Sequence, residues 1–325
     1  MSAPTLDDTF RELVEPLRRE LTAHCYRMCG SVHDAEDLVQ ETYLRAWRAF
    51  HGFENRSSVR TWMYRIATNT CLTALGAKKS RPLPTGLGQP NSDPRGHLES
   101  DSEVLWLEPV PDAMVWGTVS PDPAAVTVTR DSVRLAFVAA LQHLTAQQRA
   151  VVILRDVLAW SAADAAAALD LSVASVNSSL QRARAHLAKL DPARSPALAA
   201  DDQRARELLA QFAAAFEAYD VPRIVALLTA DAIWEMPPFT GWYSGAADIG
   251  ELIANNCPAQ AAGDMRMVPT AANGQPALAL YMLGPDGVHR AFQLQVITLG
   301  ADGVSHVAAF FDTALFATFG LPAEL

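Results

Sequence analysis

Eight prolines fall between Arg81 and Thr127, at Pro82, Pro84, Pro90, Pro94, Pro109, Pro111, Pro121 and Pro123, interleaved with Gly, Ser and Asp. Proline fixes φ and removes a backbone donor, so no long helix or sheet can run through such a stretch. It cuts the 325-residue chain and predicts an irregular linker over 81–129. A second break, Asp191 to Asp202, holds Pro192 and Pro196. Between the breaks the pattern is helical, over 10–79 with interruptions near Gly30 and across His51 to Ser58, and again over about 130–190. From Arg204 the character changes to two amphipathic helices, then segments punctuated by Trp, Pro and Gly, then alternating runs. Those runs predict strands over Leu278–Met282, Ala291–Thr298 and Val304–Phe310.

The net charge of −10 is unevenly placed. Residues 196–325 hold 5 basic and 14 acidic side chains, whereas Arg45 to Arg95 holds 9 basic and 2 acidic ones. Segregated charge can steer a polyanion to one surface in spite of an acidic average. The linker adds Glu99, Asp101, Glu103, Glu108, Asp112 and Asp122. A basic segment followed by an apolar one is missing at the N-terminus, and no apolar run spans a bilayer, so the expectation is a cytoplasmic protein without membrane contact. Cys25, Cys29, Cys71 and Cys257 lack paired-knuckle spacing. His24 and His33 beside the first two bring no second cluster, so core packing accounts for the thiols and no metal or cofactor is expected.

Three segments carry the chemistry. From Asp34 to Trp47, at about 100° per residue, Asp34, Asp37 and Glu41 share one arc of a helix with Gln40 beside it, while Val39, Tyr43, Trp47 and Phe50 make the opposite, core stripe. Ser31 can cap its start. Alone, this is also the pattern of any amphipathic surface helix. From Arg60 to Leu72, following the loop with Asn55 and Arg56, the side chains of Arg60, Trp62, Arg65 and Asn69 mix ring, cation and amide, which suits unstacked bases. Met63 and Ile66 read as core, and Trp62 suits either role. Thr145 and Gln148 have the spacing of a capping box, Ser161 caps an alanine-rich helix, and a turn at Asp170 leads to a last helix. On it Val176, Leu180, Ala183 and Leu187 face the core. Ser178, Gln181 and Arg182 face away, flanked by Asn177 and Arg184 with Ser175 at the start, as in a helix-turn-helix reader of the major groove.

These strings resemble those of extracytoplasmic-function (ECF) sigma-70 factors. Asp34 to Trp47 is similar to region 2.2, which implies docking of Asp34, Asp37, Gln40 and Glu41 on the β′ clamp of core RNA polymerase. The second segment resembles regions 2.3 and 2.4, which implies that Asn55, Arg56, Arg60, Trp62, Arg65 and Asn69 read and open the −10 element of promoter DNA. The third resembles region 4, held by the β flap, which implies −35 reading by Ser175, Asn177, Ser178, Gln181, Arg182 and Arg184. Asn177, Ser179 and Ala185 stand where lysine or arginine is usual, so fewer phosphate contacts and a flatter salt dependence are expected. The linker lies where such factors thread a connector through the polymerase cleft, and its acidity would imitate nucleic acid there, or serve only as a soluble tether.

Residues 204–320 resemble the SnoaL-like α+β cone. The resemblance rests on Phe216 to Asp220, Asp231 to Phe239 and Gly241 to Gly245. It implies a small-molecule pocket lined by Trp234, Met236, Phe239, Trp242, Tyr243, Phe292 and Gln293, or a purely apolar core with a regulatory protein as partner. Asp231, Glu235, Asp264 and Asp312 are available as bases, but no spacing pairs them, so no catalytic residue is assigned. The expected architecture is multidomain. Two all-α sigma domains (8–80 and 130–191, the latter a helix-turn-helix) flank the irregular linker, and an α+β cone follows at 203–325. The function implied is promoter-directed initiation tuned in cis by the cone. A ligand-sensing helix-turn-helix regulator, and a sigma factor whose cone retains enzyme activity, are the alternatives. The last would show a paired carboxylate or a His–carboxylate pair at the base of the cone.

Overall fold

A computed structural model describes residues 6–53, 57–76, 80–116, 131–190, 198 and 202–325. The chain forms two compact units, each assembled from two stretches: 1–81 with 107–192, and 82–106 with 193–325. The proline-rich stretch is thus divided between the two.

In the first unit, α1 (Leu6–Val14), α2 (Arg18–Cys29), α3 (Val32–Ala49) and α4 (Val59–Leu75) make the N-terminal bundle. Ser31 caps α3 by accepting from the Asp34 N–H at 3.1 Å. Gly30 ends α2 at φ +72°, where a Cβ would sit 2.8 Å from Leu107, so the turn requires glycine. Every residue from Leu21 to Cys29 is buried, because helices pack on several sides of α2. A helix buried all round must bury its polar groups with partners. His24 Nε2 meets Thr68 Oγ1 at 2.9 Å, and Arg27 donates to the Ser132 carbonyl at 3.2 Å. Cys25, Cys29 and Cys71 are buried in this core, where burial pushes the Cys29 thiol up and keeps it protonated.

The C-terminal half of this unit runs through helices Leu135–Gln142, Ala146–Val152, Ala162–Leu169 and Val173–Leu190. The Thr145–Gln148 capping box forms in both directions, and Ser161 caps the third helix. Asp170, left-handed at φ 53°, makes the turn. Val176, Leu180 and Ala183 are buried and Leu187 partly so. The two halves pack together: Arg149 donates to the Met28 carbonyl of α2 and to Leu141 at 3.0 Å and Leu144 at 3.3 Å. Leu107, Val110 and Val115 are also buried in this unit.

The second unit is a six-stranded sheet ordered β2-β1-β6-β5-β4-β3, with β1 (Leu228–Glu235) parallel to β6 (Gly303–Phe310) and its other pairs antiparallel. The rest are β2 (Trp242–Ser244), β3 (Met265–Ala272), β4 (Gln275–Leu283) and β5 (His289–Gly300). Helices Gln203–Glu217, Val221–Leu227 and Ala246–Asn256 cover the inner face. There Phe212, Phe216, Trp234, Leu278, Leu280, Val307 and Ala309 share one core. On the outer face Ala279, Tyr281 and Leu294 pack against Phe316 of the short C-terminal helix. No helix among the described residues is long and apolar enough to cross a membrane.

Candidate polymerase and nucleic-acid interface

On α3 the acidic arc forms, but its members differ in what holds them. Asp37 and Gln40 are exposed. Glu41 accepts from Arg45 at 2.7 Å across one helical turn. Asp34 is paired with Arg81 at 2.9 Å. Glu108 sits beside it: its carboxylate accepts from Ser31 Oγ at 2.7 Å and the Val32 N–H at 3.0 Å, and Arg81 lies 3.4 Å from its other oxygen. A carboxylate there satisfies free N–H groups and the positive end of the helix dipole. Glu108 thus caps the helix, although the sequence counts it among the acids of the linker. The sequence reading missed Leu44. It is 52% exposed, four residues beyond Gln40 and three beyond Glu41, and on the same arc. Heptad spacing from Asp37 could have found it.

On α4, Arg65 and Asn69 are exposed and Trp62 is partly buried, its ring 4.7 Å from Phe53. Trp62 thus packs on the neighbouring aromatics and keeps one part in solvent. Arg60 is engaged within the unit, 2.7 Å from Glu20 and over the Tyr64 ring at 5.0 Å. Asn69 donates to the Ala168 carbonyl at 3.3 Å. Asn55 and Arg56 lie outside the described residues. Ser175, Asn177, Ser178, Gln181, Arg182 and Arg184 are all exposed along the last helix. Arg182 leans on Ser178 at 3.0 Å, and Arg184 is clamped by Asp156, 3.0 Å from Nε. Hydrogen bonds and attraction to Asp156 raise the Arg184 pKa.

In the second unit, strand alternation sorts the expected pocket residues. Trp234 pairs with Tyr243, and both belong to the inner core, with Trp234 stacked 6.2 Å from Phe216. Met236 is also in that core, and Phe239 and Phe292 each meet Phe311 at 5.3 Å. Gln293 is inward with them, opposite Leu280. Trp242 is not: it pairs with Glu235 on the outer face and donates from Nε1 to the Gln89 carbonyl at 2.9 Å. One residue of register separates it from Tyr243.

A buried His–carboxylate pair exists that no spacing revealed, with His306 Nε2 2.7 Å from Glu235 Oε1. It does not face the cone. His306 and Glu235 lie in register with Ile233 and Ala308, opposite in alternation to Trp234 and Val307. The other Glu235 oxygen accepts from the Thr85 N–H at 2.7 Å. Burial pushes the Glu235 carboxyl up, but the hydrogen bond and charge of His306 and the Thr85 N–H outweigh it and hold the group below its usual value. Asp231 accepts from Thr229 Oγ1 within β1, and Asp264 and Asp312 accept backbone N–H groups of nearby residues.

From Thr85 the segment wraps the edge of the sheet at β2. Ser92 N–H donates to the Trp242 carbonyl at 2.8 Å, Arg95 forms a two-bond pair with Glu251, and the Thr240 N–H reaches the Glu99 carbonyl at 2.8 Å. Gly241 allows this approach, since a Cβ there would meet Ser92 Oγ at 2.8 Å. An open edge strand is covered in this way.

Family models agree with this division: Sigma-70 region 2 matches residues 13–81, Sigma-70 region 4 residues 134–187, and a SnoaL-like domain residues 209–314. The ECF RNA polymerase sigma factor SigG of Mycobacterium tuberculosis is 58% identical over 318 residues, 97% of this chain and 85% of its own length. SigJ of the same organism is 29% identical over 72% of this chain and 65% of its own length. The crystal structure of M. tuberculosis SigJ superposes with a TM-score of 0.60, at 24% identity, covering 95% of this chain and 98% of that one. Region 2, region 4 and a SnoaL-like domain in this order, with that identity over nearly the whole length, place the chain in the family of ECF RNA polymerase sigma factors.

Proposed function

We propose that this sigma factor directs core polymerase to promoters in the cytoplasm and that its C-terminal unit tunes the step by holding the connector. Docking on the β′ clamp uses Asp37, Gln40 and Glu41 around an apolar anchor at Leu44, with Asp34 freed from Arg81 on binding. Polar groups ringing an apolar side chain exclude water from the contact once the surface is docked. The −10 element is read by Trp62, Arg65 and Asn69, with Asn55, Arg56 and Arg60 assisting. The −35 element is read by Ser175, Asn177, Ser178, Gln181 and Arg182, and by Arg184 once it leaves Asp156. The helix that carries these last residues is held by the β flap. The two promoter elements lie roughly 85 Å apart at 3.4 Å per base pair. Asn69 bonded to Ala168 brings the two readers into contact, so they separate before both can engage DNA.

The observation that carries the cis role is the fastening of residues 85–101 to the C-terminal unit by Glu235, Trp242, Glu251 and Thr240. Those residues are the ones the family resemblance assigns to the polymerase cleft. The outward direction of Glu235 and His306, closed by Thr85, favours an anchor over a catalytic pair, and we read the unit as non-catalytic. Run-off transcription with core polymerase tests both parts. Asp37→Lys with Glu41→Lys should lower polymerase affinity at least tenfold with an unchanged melting curve, and equal affinity defeats the docking assignment. Glu235→Gln should speed proteolysis within 85–101 and shift transcript yield toward that of a truncation at Pro196. Unchanged proteolysis and yield in this variant defeat the clasp.

A further inference from the structure

Ser92 and Glu99 are two points at which the connector pairs with the sheet edge. The first donates its N–H to the Trp242 carbonyl and the second accepts from the Thr240 N–H, both at 2.8 Å. Residues 93–98 arch between them. The crown of the arch is pinned to the helix Ala246–Asn256: Arg95 holds Glu251 with two hydrogen bonds, and Asn256 donates to the Pro94 carbonyl at 3.4 Å. Fastened at both feet and at its crown, the arch encloses a cavity of about 360 Å³ with residues 239–243. Most of the lining is on the connector, ahead of the stretch 209–314 that matches the SnoaL-like domain. The cavity therefore belongs to the union of connector and sheet edge and not to the interior of the cone.

One buried polar group in that wall has nothing to bond. Tyr243 is 2% exposed and its ring packs in the inner core, yet its hydroxyl has no hydrogen-bond partner among the described residues. A Cβ on Gly241 would stand 3.4 Å from this hydroxyl and 2.8 Å from Ser92 Oγ, so the two hydroxyls flank the glycine at the foot of the arch. Burial, and then the negative charge of Asp93, push the Tyr243 pKa up, which keeps the hydroxyl protonated at neutral pH. A buried tyrosine usually finds a partner for its hydroxyl, and a cavity that opens onto a bare one is where a polar group of a ligand fits.

The wall also sets the charge of that ligand. Asp93 and Glu99 lie in it with His97, and neither lysine nor arginine does. Arg95, the arginine of the arch, is turned to Glu251 at 2.8 Å. An anion here would lose its hydration with no cation to replace it. An ammonium has acceptors in the Asp93 carboxylate and in both hydroxyl oxygens. Phe239 and Leu98 supply apolar wall, and a ring face beside a cation adds attraction.

We propose that the cavity beneath the connector binds a small primary amine as its ammonium ion, with the charge between Asp93, Ser92 and Tyr243 and a flat apolar body against Phe239 and Leu98. A molecule held there touches both the arch and the strand, and so fastens residues 89–99 more tightly to the sheet. Only a consequence for transcription rests on the proposed role in cis; the binding does not.

The test titrates the full chain at pH 7 with three probes of similar size: 2-phenylethylamine, 2-phenylethanol and phenylacetate. Binding is read by calorimetry, and fastening by the rate of proteolysis within 89–99. The amine should bind and slow cleavage, the alcohol should bind at least tenfold more weakly, and phenylacetate should not bind. Tyr243→Phe keeps the ring in the core, and Asp93→Asn keeps an oxygen for the Arg95 N–H that Asp93 accepts at 3.0 Å. Both variants should melt with the parent, and each should weaken the amine roughly tenfold, the loss expected for one hydrogen bond to a charged group. Asp93 is exposed, so its variant carries the test if Tyr243→Phe fails to fold. No binding of the amine at millimolar concentration overturns the proposal. So does alcohol or phenylacetate binding as tight as that of the amine, or amine binding indifferent to both substitutions. Amine binding that leaves cleavage within 89–99 unchanged overturns the fastening. The Glu235→Gln variant, read without amine, reports on the clasp separately.

Discussion

Replacing Arg149 with methionine should destabilise the helical unit by about 3 kcal/mol and let its two halves part. The guanidinium donates to carbonyls of Leu141 and Leu144 in its own half and of Met28 in α2. Burial pushes its pKa down to about 10, so it remains charged at neutral pH. Methionine matches the length of the stem but takes the side-chain donor from the buried Met28 and Leu144 carbonyls, each at a cost of roughly 1–3 kcal/mol, while the Leu141 carbonyl keeps the Leu144 N–H at 3.1 Å. Relief of the buried charge offsets part of that sum. Two measurements check the outcome: the urea midpoint of the unit, and a spin-label distance between exposed sites on α4 and on the Val173–Leu190 helix. If the midpoint falls but the distance distribution stays narrow, Arg149 stabilises without holding the halves together. If neither moves, the carbonyls have found water and the contact is of little consequence.

The second large effect is acid sensitivity through His24. Burial, and then the charge of Arg27, lower its pKa from 6.5 to about 3. A histidine lowered in the fold binds fewer protons than in the unfolded chain. Its contribution is therefore complete above pH 6.5 and is lost as pH falls from there toward 3. At about 1.4 kcal/mol per pH unit, roughly 3 kcal/mol should go between pH 6.5 and 4.5. Glu235 acts in the same direction but in a lower pH window. Its lowered carboxyl gives stability that is present above the ordinary value of 4.5 and lost only below it. Unfolding of the parent and of His24→Gln, followed by urea at pH 7, 6 and 5, separates the two. Parallel slopes for parent and variant would remove His24 as the cause.

Much of the first unit was legible because its signals are local. Ser31, Thr145 with Gln148, and Ser161 each cap the helix that begins at the next residue, and the Val176, Leu180, Ala183 stripe needs only helical periodicity. The division of the proline-rich stretch was not legible. Several of its anchors are backbone groups, such as the Ser92 N–H and the Glu99 carbonyl, and backbone hydrogen bonding leaves no trace in residue type. Glu108 read as linker charge because the helix it caps begins 76 residues earlier. Glu235 and His306 meet across a parallel strand pair 71 residues apart, which no short spacing encodes. Trp242 was placed among the pocket residues because an aromatic run shows neither where a strand begins nor which member faces in. Arg60 and Arg184 kept their chemistry but gained partners, Glu20 and Asp156, brought in by the fold.

The interleaving of the two units gives the chain an order of assembly. Residues 1–81 and 107–192 complete the first unit, while the second combines 82–106 with a partner stretch that starts at Ala193. A ribosome adding about 5–20 residues per second needs roughly 7–27 s to add that remaining stretch. Throughout this interval the connector has been made and its clasp has not. Each newly made molecule therefore passes once through a state in which the sigma domains are present and the connector is unheld. On the proposed role in cis, polymerase met during that interval encounters the factor before its C-terminal unit can act on it, and faster translation shortens the opportunity.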